Sequence, residues 1–208
     1  MSKRRIVVGI SGATGAIYGI RVLESLSHYK DVETHLVLTD AGALTIREET
    51  DWDPEDVIKM ADYSHNINNI GASISSGSFN AEGMIIAPCA IKSMSMIANS
   101  MNANLLIRAA DVMLKEKRKL IVMVRETPLH EGHLELITRL ARIGAVIFPP
   151  VPAFYSKPKT LDDIINHTVG RILNQFGLGA NLVEQWTGLT KENKKHETYR
   201  TTKLRKAV

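Results

Sequence analysis

Five short apolar runs, most of them rich in β-branched residues, recur along this chain between segments of helical character. The runs cover residues 5–10, 33–38, 83–88, 119–124 and 145–149. Most lack the alternation of apolar and polar residues that a half-exposed strand shows, which is typical of strands buried on both faces. Such strands in regular alternation with helices predict an α/β fold, with helices covering both faces of a mostly parallel sheet.

The spacing of apolar residues places helices between these strands. The first helix begins at residue 16, and Thr39 with Asp40 forms a suitable cap for the second. Residues 64–80 are polar, rich in Gly and Ser and without a period, which predicts a long loop of a kind that often carries function. The later helices are predicted over residues 41–49, 52–62, 91–99, 108–117, 132–143 and 161–176.

Length and composition fit a soluble globular protein. The chain has 208 residues, 44% of them hydrophobic and 23% charged, so we expect one domain over residues 1–188, followed by a basic, flexible tail over 189–208. No apolar run approaches a bilayer span and no signal-peptide core is visible, so we expect no membrane partner. The single cysteine, Cys89, excludes an internal disulfide and fits a reducing compartment, which predicts a cytoplasmic location.

The basic character of the chain is confined to its end. The formal net charge is +4 and the pI is about 9.2. Residues 191–208 hold seven Lys and Arg against two Glu, so the rest of the chain carries 19 basic and 20 acidic residues. Tyr199 is the one aromatic residue within the basic run. A platform for stacking bases is therefore not expected, and no nucleic-acid partner is predicted.

A glycine-rich turn, residues 11–16 (SGATGA), joins the first predicted strand to the first predicted helix. Glycines allow a backbone to approach a ligand closely, and the N-terminus of the following helix favours an anion. In open parallel sheets, ligands bind at the carboxyl ends of the strands. We therefore expect a mononucleotide phosphate around residues 12–15.

Other interpretations of this turn stay open on these residues alone. It is not a Walker A loop, because no Gly-Lys-Ser/Thr follows, and it lacks the G-x-G-x-x-G pattern of dinucleotide-binding folds. Asp40 follows at somewhat more than the usual ribose-binding spacing, so a dinucleotide is one alternative. A tight turn without a ligand is the other.

Charged side chains elsewhere are further candidates, each with a surface role as its alternative. Arg125 and Glu126 follow a predicted strand and could bind a phosphate and transfer a proton. Arg108 and Lys115, seven residues apart, share a face of one predicted helix.

No metal site is predicted. His130 and His133 are three residues apart, whereas the H-E-x-x-H zinc motif needs a spacing of four, and no further cluster of ligands accompanies them. Cys89 is interpreted as an inert, buried residue.

Several ordered blocks of sequence resemble the flavin prenyltransferase family, which comprises UbiX and the related B subunits of phenolic-acid decarboxylases. The resemblance covers residues 5 to about 188. Its motifs are GISGATGAIYG (9–19), ETD (49–51), SSGSF (75–79), MIIAPC (84–89), RAADVMLKE (108–116), RETPL (125–129), PPVPAFY (149–155) and RILNQFG (171–177).

The resemblance implies a Rossmann-like (flavodoxin-like) three-layer sandwich that assembles as a homododecamer and uses no metal. Such an enzyme attaches a dimethylallyl group from dimethylallyl phosphate to reduced FMN. The product, prenylated FMN, serves a UbiD-type aromatic-acid decarboxylase. Sites in this family assemble from neighbouring subunits, so we expect some residues of the site to come from different chains.

The resemblance also implies roles for individual residues. Glu49 and Glu126 would lie near the reacting carbons, with Glu126 as the proton donor, and Thr14 and Lys115 would complete the catalytic set. Trp186 would help to close the pocket. The residues implied to contact FMN are Gly12, Ala13, Thr14, Thr39, Ala90, Ile91, Lys92, Ser93 and Arg125. Those implied to hold the allylic phosphate are Tyr155, Arg171, Lys115 and Arg108.

The chain departs from the family pattern in several places. Thr14 and Thr39 stand where many members have Ser, and both keep a hydroxyl. Ala90 replaces the Ser that usually follows the Pro-Cys pair, and residues 66–71 lack a Trp that some members have. Two other functions are alternatives to prenyl transfer: a non-catalytic FMN-binding subunit of a phenolic-acid decarboxylase, and an FMN-dependent decarboxylase of cysteine-like substrates.

Overall fold

Parallel strands form one sheet in the computed structural model, which describes residues 3–179 and 182–183. The order of the strands is β3-β2-β1-β4-β5-β6, and every neighbouring pair is parallel. The strands are β1 (Arg4–Ile10), β2 (Val32–Leu38), β3 (Tyr63–His65), β4 (Gly83–Cys89), β5 (Lys119–Val124) and β6 (Val146–Ile147). The prediction of a mostly parallel α/β sheet is therefore confirmed.

Helices cover both faces of the sheet, which confirms the three-layer arrangement. They are α1 (Ala16–Ser27), α2 (Asp40–Glu49), α3 (Pro54–Lys59), α4 (Ile91–Ala98), α5 (Leu105–Lys115), α6 (Glu131–Arg142) and α7 (Leu161–Asn174). One apolar core lies between the sheet and α4, α5 and α6. The other lies between the opposite face and α1 and α7.

The two edge strands differ from the sequence-based predictions. β3 occupies the start of the segment predicted as a loop, because a three-residue strand whose first two side chains are exposed has no apolar pattern to reveal it. β6 is only Val146–Ile147 rather than residues 145–149, although Phe148 N still donates to Val122 O at 2.9 Å. Pro149 and Pro150 follow, and proline has no N–H with which to extend the ladder.

Helix boundaries shift where a side chain caps the first turn. α5 begins three residues before its predicted start, because the Asn104 side chain accepts a hydrogen bond from Ile107 N. α3 is shorter than predicted and begins after Asp53, whose carboxylate accepts from Glu55 N.

The order of the strands reverses between β1 and β4. The chain runs outward from β1 through β2 to β3, returns to β4 beside β1, and then runs outward again to β6. At such a switch point, the loops after the two central strands diverge and leave a crevice at the carboxyl edge of the sheet. The glycine turn follows β1, so it lies at this crevice together with the residues that follow β4.

Two histidines, His35 buried and His65 half-buried, contact each other at the β2–β3 edge. His35 is 4% exposed, and its Nδ1 lies 3.0 Å from His65 Nε2 while its Nε2 lies 3.0 Å from Glu33 Oε1. Glu33 also pairs with Arg5 at 2.9 Å. Burial lowers the pKa of both His35 and His65 below the usual histidine value. The folded protein therefore favours their neutral forms.

We expect the free energy of unfolding to fall as the pH drops from 7.5 to 5.0. Below the ordinary histidine pKa of about 6.5, the unfolded chain binds protons that these two histidines resist in the folded protein, so acid favours unfolding. Urea denaturation at the two pH values measures the difference. A His35→Phe variant should show a smaller pH difference than the wild type, and an unchanged difference would contradict the assignment.

Candidate active site

A buried serine joins the two loops that border the crevice. Ser11 is 1% exposed, its Oγ donates to Pro88 O at 3.0 Å, and the same Oγ accepts from Ala90 N at 2.8 Å. Ser11 N also donates to Pro88 O, at 3.2 Å. The glycine turn after β1 and the first residue after β4 are thus fixed side by side.

Gly12 brings the glycine turn into contact with the start of α2. A Cβ built at Gly12 would lie 2.4 Å from Ala41 Cβ and 3.0 Å from Ala41 C, so only glycine fits there. Thr39 caps α2, with its Oγ1 accepting from Gly42 N at 3.0 Å. This bond uses a lone pair of Oγ1 and leaves its proton able to bond to a ligand. Gly12 and Thr39 therefore both lie at the start of α2.

The N-terminus of α4 lies at the same edge of the sheet. Ala90 is the N-cap residue, and it has no side-chain oxygen with which to cap the helix. The backbone N–H groups of the first turn, at Ile91, Lys92 and Ser93, have no acceptor within the helix. They can donate to acceptor atoms of a ligand, and this role does not depend on the side chains of these residues. Ala90 in place of the family's Ser removes a hydroxyl but no amide.

Glu49, at the last position of α2, binds the N-terminus of α1. Its Oε2 accepts from Gly15 N at 2.7 Å and from Ala16 N at 3.4 Å. Gly15 has a φ of 95°, a conformation that suits glycine. We expected an anion at the glycine turn as a whole, and the structure assigns the amides of residues 15 and 16 to this carboxylate.

Replacing Glu49 by Ala is expected to lower the free energy of unfolding by about 1 kcal/mol, because α1 loses the negative charge and the acceptor at its N-terminus. Glu49→Gln keeps an acceptor oxygen and should cost less. Thermal denaturation of both variants, in the absence of flavin, measures the difference. Equal stability of Glu49→Ala and the wild type would contradict a capping role.

Arg125 and Glu126 extend the site beyond β5. Arg125 N donates to Cys89 O at 3.2 Å, which holds the segment next to the end of β4. Both side chains are exposed, and Glu126 Oε1 accepts from Thr127 N at 3.0 Å. The structure therefore brings Arg125, Glu126 and Glu49 to the carboxyl edge of the sheet.

Arg108 and Lys115 lie elsewhere in the chain. α5 ends at Lys115, four residues before β5 begins, so Lys115 lies at the amino edge of the sheet. Arg108 Nε donates to Ser75 O at 3.1 Å and its Nη1 lies 3.2 Å from Asp111 Oδ2. Lys115 forms an ion pair with Glu116. Within one chain, Lys115 does not reach the glycine turn.

Tyr155, in a short turn before α7, and Arg171, on α7, lie in a third location. The Tyr155 hydroxyl lies 3.2 Å from His167 Nε2, and Arg171 is one helical turn beyond His167. Burial lowers the pKa of His167, and the charge of Arg171 lowers it further. His167 belongs to none of the sequence motifs or candidate residues named above. Its spacing of four from Arg171 is the signal that could have found it. Trp186, predicted to close the pocket, lies outside the described residues.

Other chemistry has little support in the part of the chain that the structure describes. Cys89 is fully buried, which raises the pKa of its thiol to about 12 and keeps it protonated. Residues 3–179 and 182–183 contain no group of three or more His, Cys, Asp or Glu side chains placed to hold a metal ion. None of the helices described there is long and apolar enough to cross a membrane.

Comparison with known proteins gives concordant matches. The profile of the Flavoprotein family matches residues 1–173. A curated relative, the flavin prenyltransferase UbiX of Thauera aromatica, is 60% identical over 184 residues, which cover 88% of this chain and 94% of the relative.

Two crystal structures match the fold closely. AnUbiX in complex with FMN and dimethylallyl pyrophosphate has a TM-score of 0.88 and 49% identity, covering 90% of this chain and 100% of that one. A dodecameric FMN-dependent UbiX-like decarboxylase from Escherichia coli O157:H7 has a TM-score of 0.87 and 46% identity, covering 88% of this chain and 100% of that one.

Proposed function

The chain belongs to the Flavoprotein family and, within it, to the flavin prenyltransferases, and from this we propose that it joins a dimethylallyl group from dimethylallyl phosphate to reduced FMN. The observation that carries the proposal is the convergence of the implied flavin residues on the crevice between β1 and β4. Three helix N-termini and two acidic side chains, Glu49 and Glu126, border that crevice.

The residues at the crevice fit an FMN molecule. The phosphate would bind beside residues 12–14, to Gly12 N and to the hydroxyls of Thr14 and Thr39, where Gly12 allows a close approach to the start of α2. Ala13 N already donates to Ser11 O at 2.8 Å, so Ala13 would line the site without donating from its amide. The first-turn amides of α4, at residues 91–93, would donate to polar atoms of the flavin ring, and Arg125 would bind from the β5 side. When bound, reduced flavin supplies the nucleophile that accepts the dimethylallyl group.

The chain's own side chains would assist departure of the phosphate. Arg171, Lys115 and the Tyr155 hydroxyl would stabilise negative charge on the leaving phosphate oxygens as the allylic C–O bond breaks. Glu126 would be the proton donor. Its Oε1 accepts a hydrogen bond from Thr127 N, which leaves Oε2 to hold the proton that Glu126 would donate. The pocket would also exclude water, which would otherwise add to the allylic carbon.

The separation of the charged residues supports an assembly in which several chains build each site. Lys115, at the amino edge of the sheet, would reach a flavin only in a neighbouring subunit. We therefore propose a homo-oligomer, a dodecamer as in the related E. coli protein. We also propose a cytoplasmic location, with a UbiD-type decarboxylase receiving prenylated FMN.

A product assay tests the proposed activity. The full-length protein is incubated anaerobically with reduced FMN and either dimethylallyl phosphate or dimethylallyl diphosphate. The mass of the released flavin is then measured by mass spectrometry. Addition of one five-carbon unit supports prenyl transfer, and the two donor arms identify the donor. Tight binding with release of unmodified FMN would instead support a non-catalytic FMN-binding subunit.

A further inference from the structure

Two arginines bind alternate carbonyl groups of the segment 75–79. Arg108, in the first turns of α5, binds Ser75 O as described above. Arg118, three residues after α5 ends, donates from Nη2 to Gly77 O at 2.8 Å and from Nη1 to Phe79 O at 2.5 Å. A planar guanidinium holds two acceptors in a fixed relative geometry. Arg118 therefore fixes the backbone of the segment at two points.

The segment is anchored at its ends by apolar contacts, whereas its middle is polar. Ile74 is fully buried, and the Phe79 ring contacts His35 edge-on at a centroid distance of 4.9 Å. Ser76 and Ser78 bond to each other through their hydroxyls at 2.8 Å, so this bond does not tie the segment to α5. Phe79 N closes a turn around Gly77 by donating to Ser76 O at 3.2 Å, and the bonds from Arg118 tie that turn to the end of α5.

Gly77 lies directly against the Lys115–Glu116 ion pair. A Cβ built at Gly77 would lie 2.7 Å from Lys115 Nζ and 2.2 Å from Glu116 Oε1, distances at which the pair would have to move. The backbone of the segment thus borders the pair on one side, and a side chain at position 77 would displace the ends of Lys115 and Glu116. A shift of the segment would release this constraint.

We infer that Arg118 is a positioning residue for the allylic-phosphate subsite: by fixing Gly77 O and Phe79 O, it holds the segment 75–79 where Gly77 sets the position of the Lys115 ammonium. The inference rests on the proposed role of Lys115 in binding the prenyl phosphate. Arg118 would touch neither substrate nor flavin. Its effect on affinity would pass entirely through the segment and Lys115.

Arg118→Gln tests the inference by two binding measurements and one dynamic measurement. We expect amide hydrogen exchange of residues 75–79 to rise about tenfold and the Kd of dimethylallyl phosphate, measured by calorimetry, to rise about tenfold. The Kd of FMN should stay within about twofold, because Arg118 and the segment 75–79 are not among the residues proposed to bind FMN. Arg118→Lys should show the same defects, since an ammonium group does not reproduce the planar fork.

Two further variants separate positioning from general damage. Gly77→Ala leaves Arg118 intact but displaces Lys115, so it should also weaken dimethylallyl phosphate binding without changing FMN binding. Arg142→Gln, at an exposed arginine in the last turn of α6, is the matched control and should leave all three measurements unchanged.

The possible results discriminate between this inference and the proposed function. Unchanged exchange in Arg118→Gln, unchanged prenyl-phosphate affinity, or parallel loss of FMN affinity would each overturn the inference. If the wild type binds dimethylallyl phosphate but releases unmodified FMN, the proposed transfer fails, and the affinities of the variants still decide the role of Arg118. If the wild type does not bind dimethylallyl phosphate, both are overturned.

Discussion

Replacing Glu126 by Gln is expected to slow the formation of prenylated flavin by a factor of about 10² to 10⁴, the usual contribution of a positioned acid or base. Glutamine keeps an oxygen that can accept the bond from Thr127 N, which Glu126 Oε1 accepts at 3.0 Å. The local backbone should therefore be retained while the exchangeable proton is lost. Single-turnover kinetics, with the flavin mass followed in time, measure the effect.

The control for this variant is Glu131→Gln. Glu131 is an exposed carboxylate in the first turn of α6, only five residues further along the chain. We expect it to change the rate by less than about twofold, since surface substitutions away from a site have small effects. A normal rate in Glu126→Gln, or a loss of FMN binding equal to the loss of rate, would remove Glu126 from the proposed role.

Gly12→Ala is expected to weaken FMN binding by about 10²-fold, as a displacement of roughly 1 Å in a positioned site can do. The added Cβ would lie 2.4 Å from Ala41 Cβ and 3.0 Å from the Ala41 carbonyl carbon, so the start of α2 would have to move. There is little room for this, because a Cβ at Gly42 would lie 2.7 Å from Ile10 O. Thr39, at the N-cap of α2, would move with it.

Fluorescence titration with FMN measures the affinity, and thermal denaturation should show an accompanying loss of about 1–3 kcal/mol from overpacking. The matched control is Gly71→Ala, where the nearest atom to an added Cβ is Asn69 Oδ1 at 3.5 Å, an ordinary contact. Its FMN affinity should equal that of the wild type. Wild-type affinity in Gly12→Ala would show that the flavin does not bind at this turn.

Local signals in the sequence predicted the buried strands and the glycine turn, because each depends on neighbouring residues alone. The apolar runs of β1, β4 and β5 are nearly uniform, and their strands are almost fully buried. The short edge strands β3 and β6 carry too few residues for a pattern. Their extent depends on pairing with β2 and β5, and a prediction from neighbouring residues does not include this pairing.

The candidate site likewise combines residues that the sequence predicts with contacts that only the fold creates. The sequence by itself determined the α/β class and, through its motifs, the family and the set of charged and glycine residues that the family implies. Only the tertiary structure decided which of these residues meet. Glu49 and Gly15 are 34 residues apart and Arg118 and Gly77 are 41 apart, yet each pair is hydrogen-bonded. The physical reason is that strand order and helix packing, which arise from contacts between distant segments, determine which side chains share a pocket.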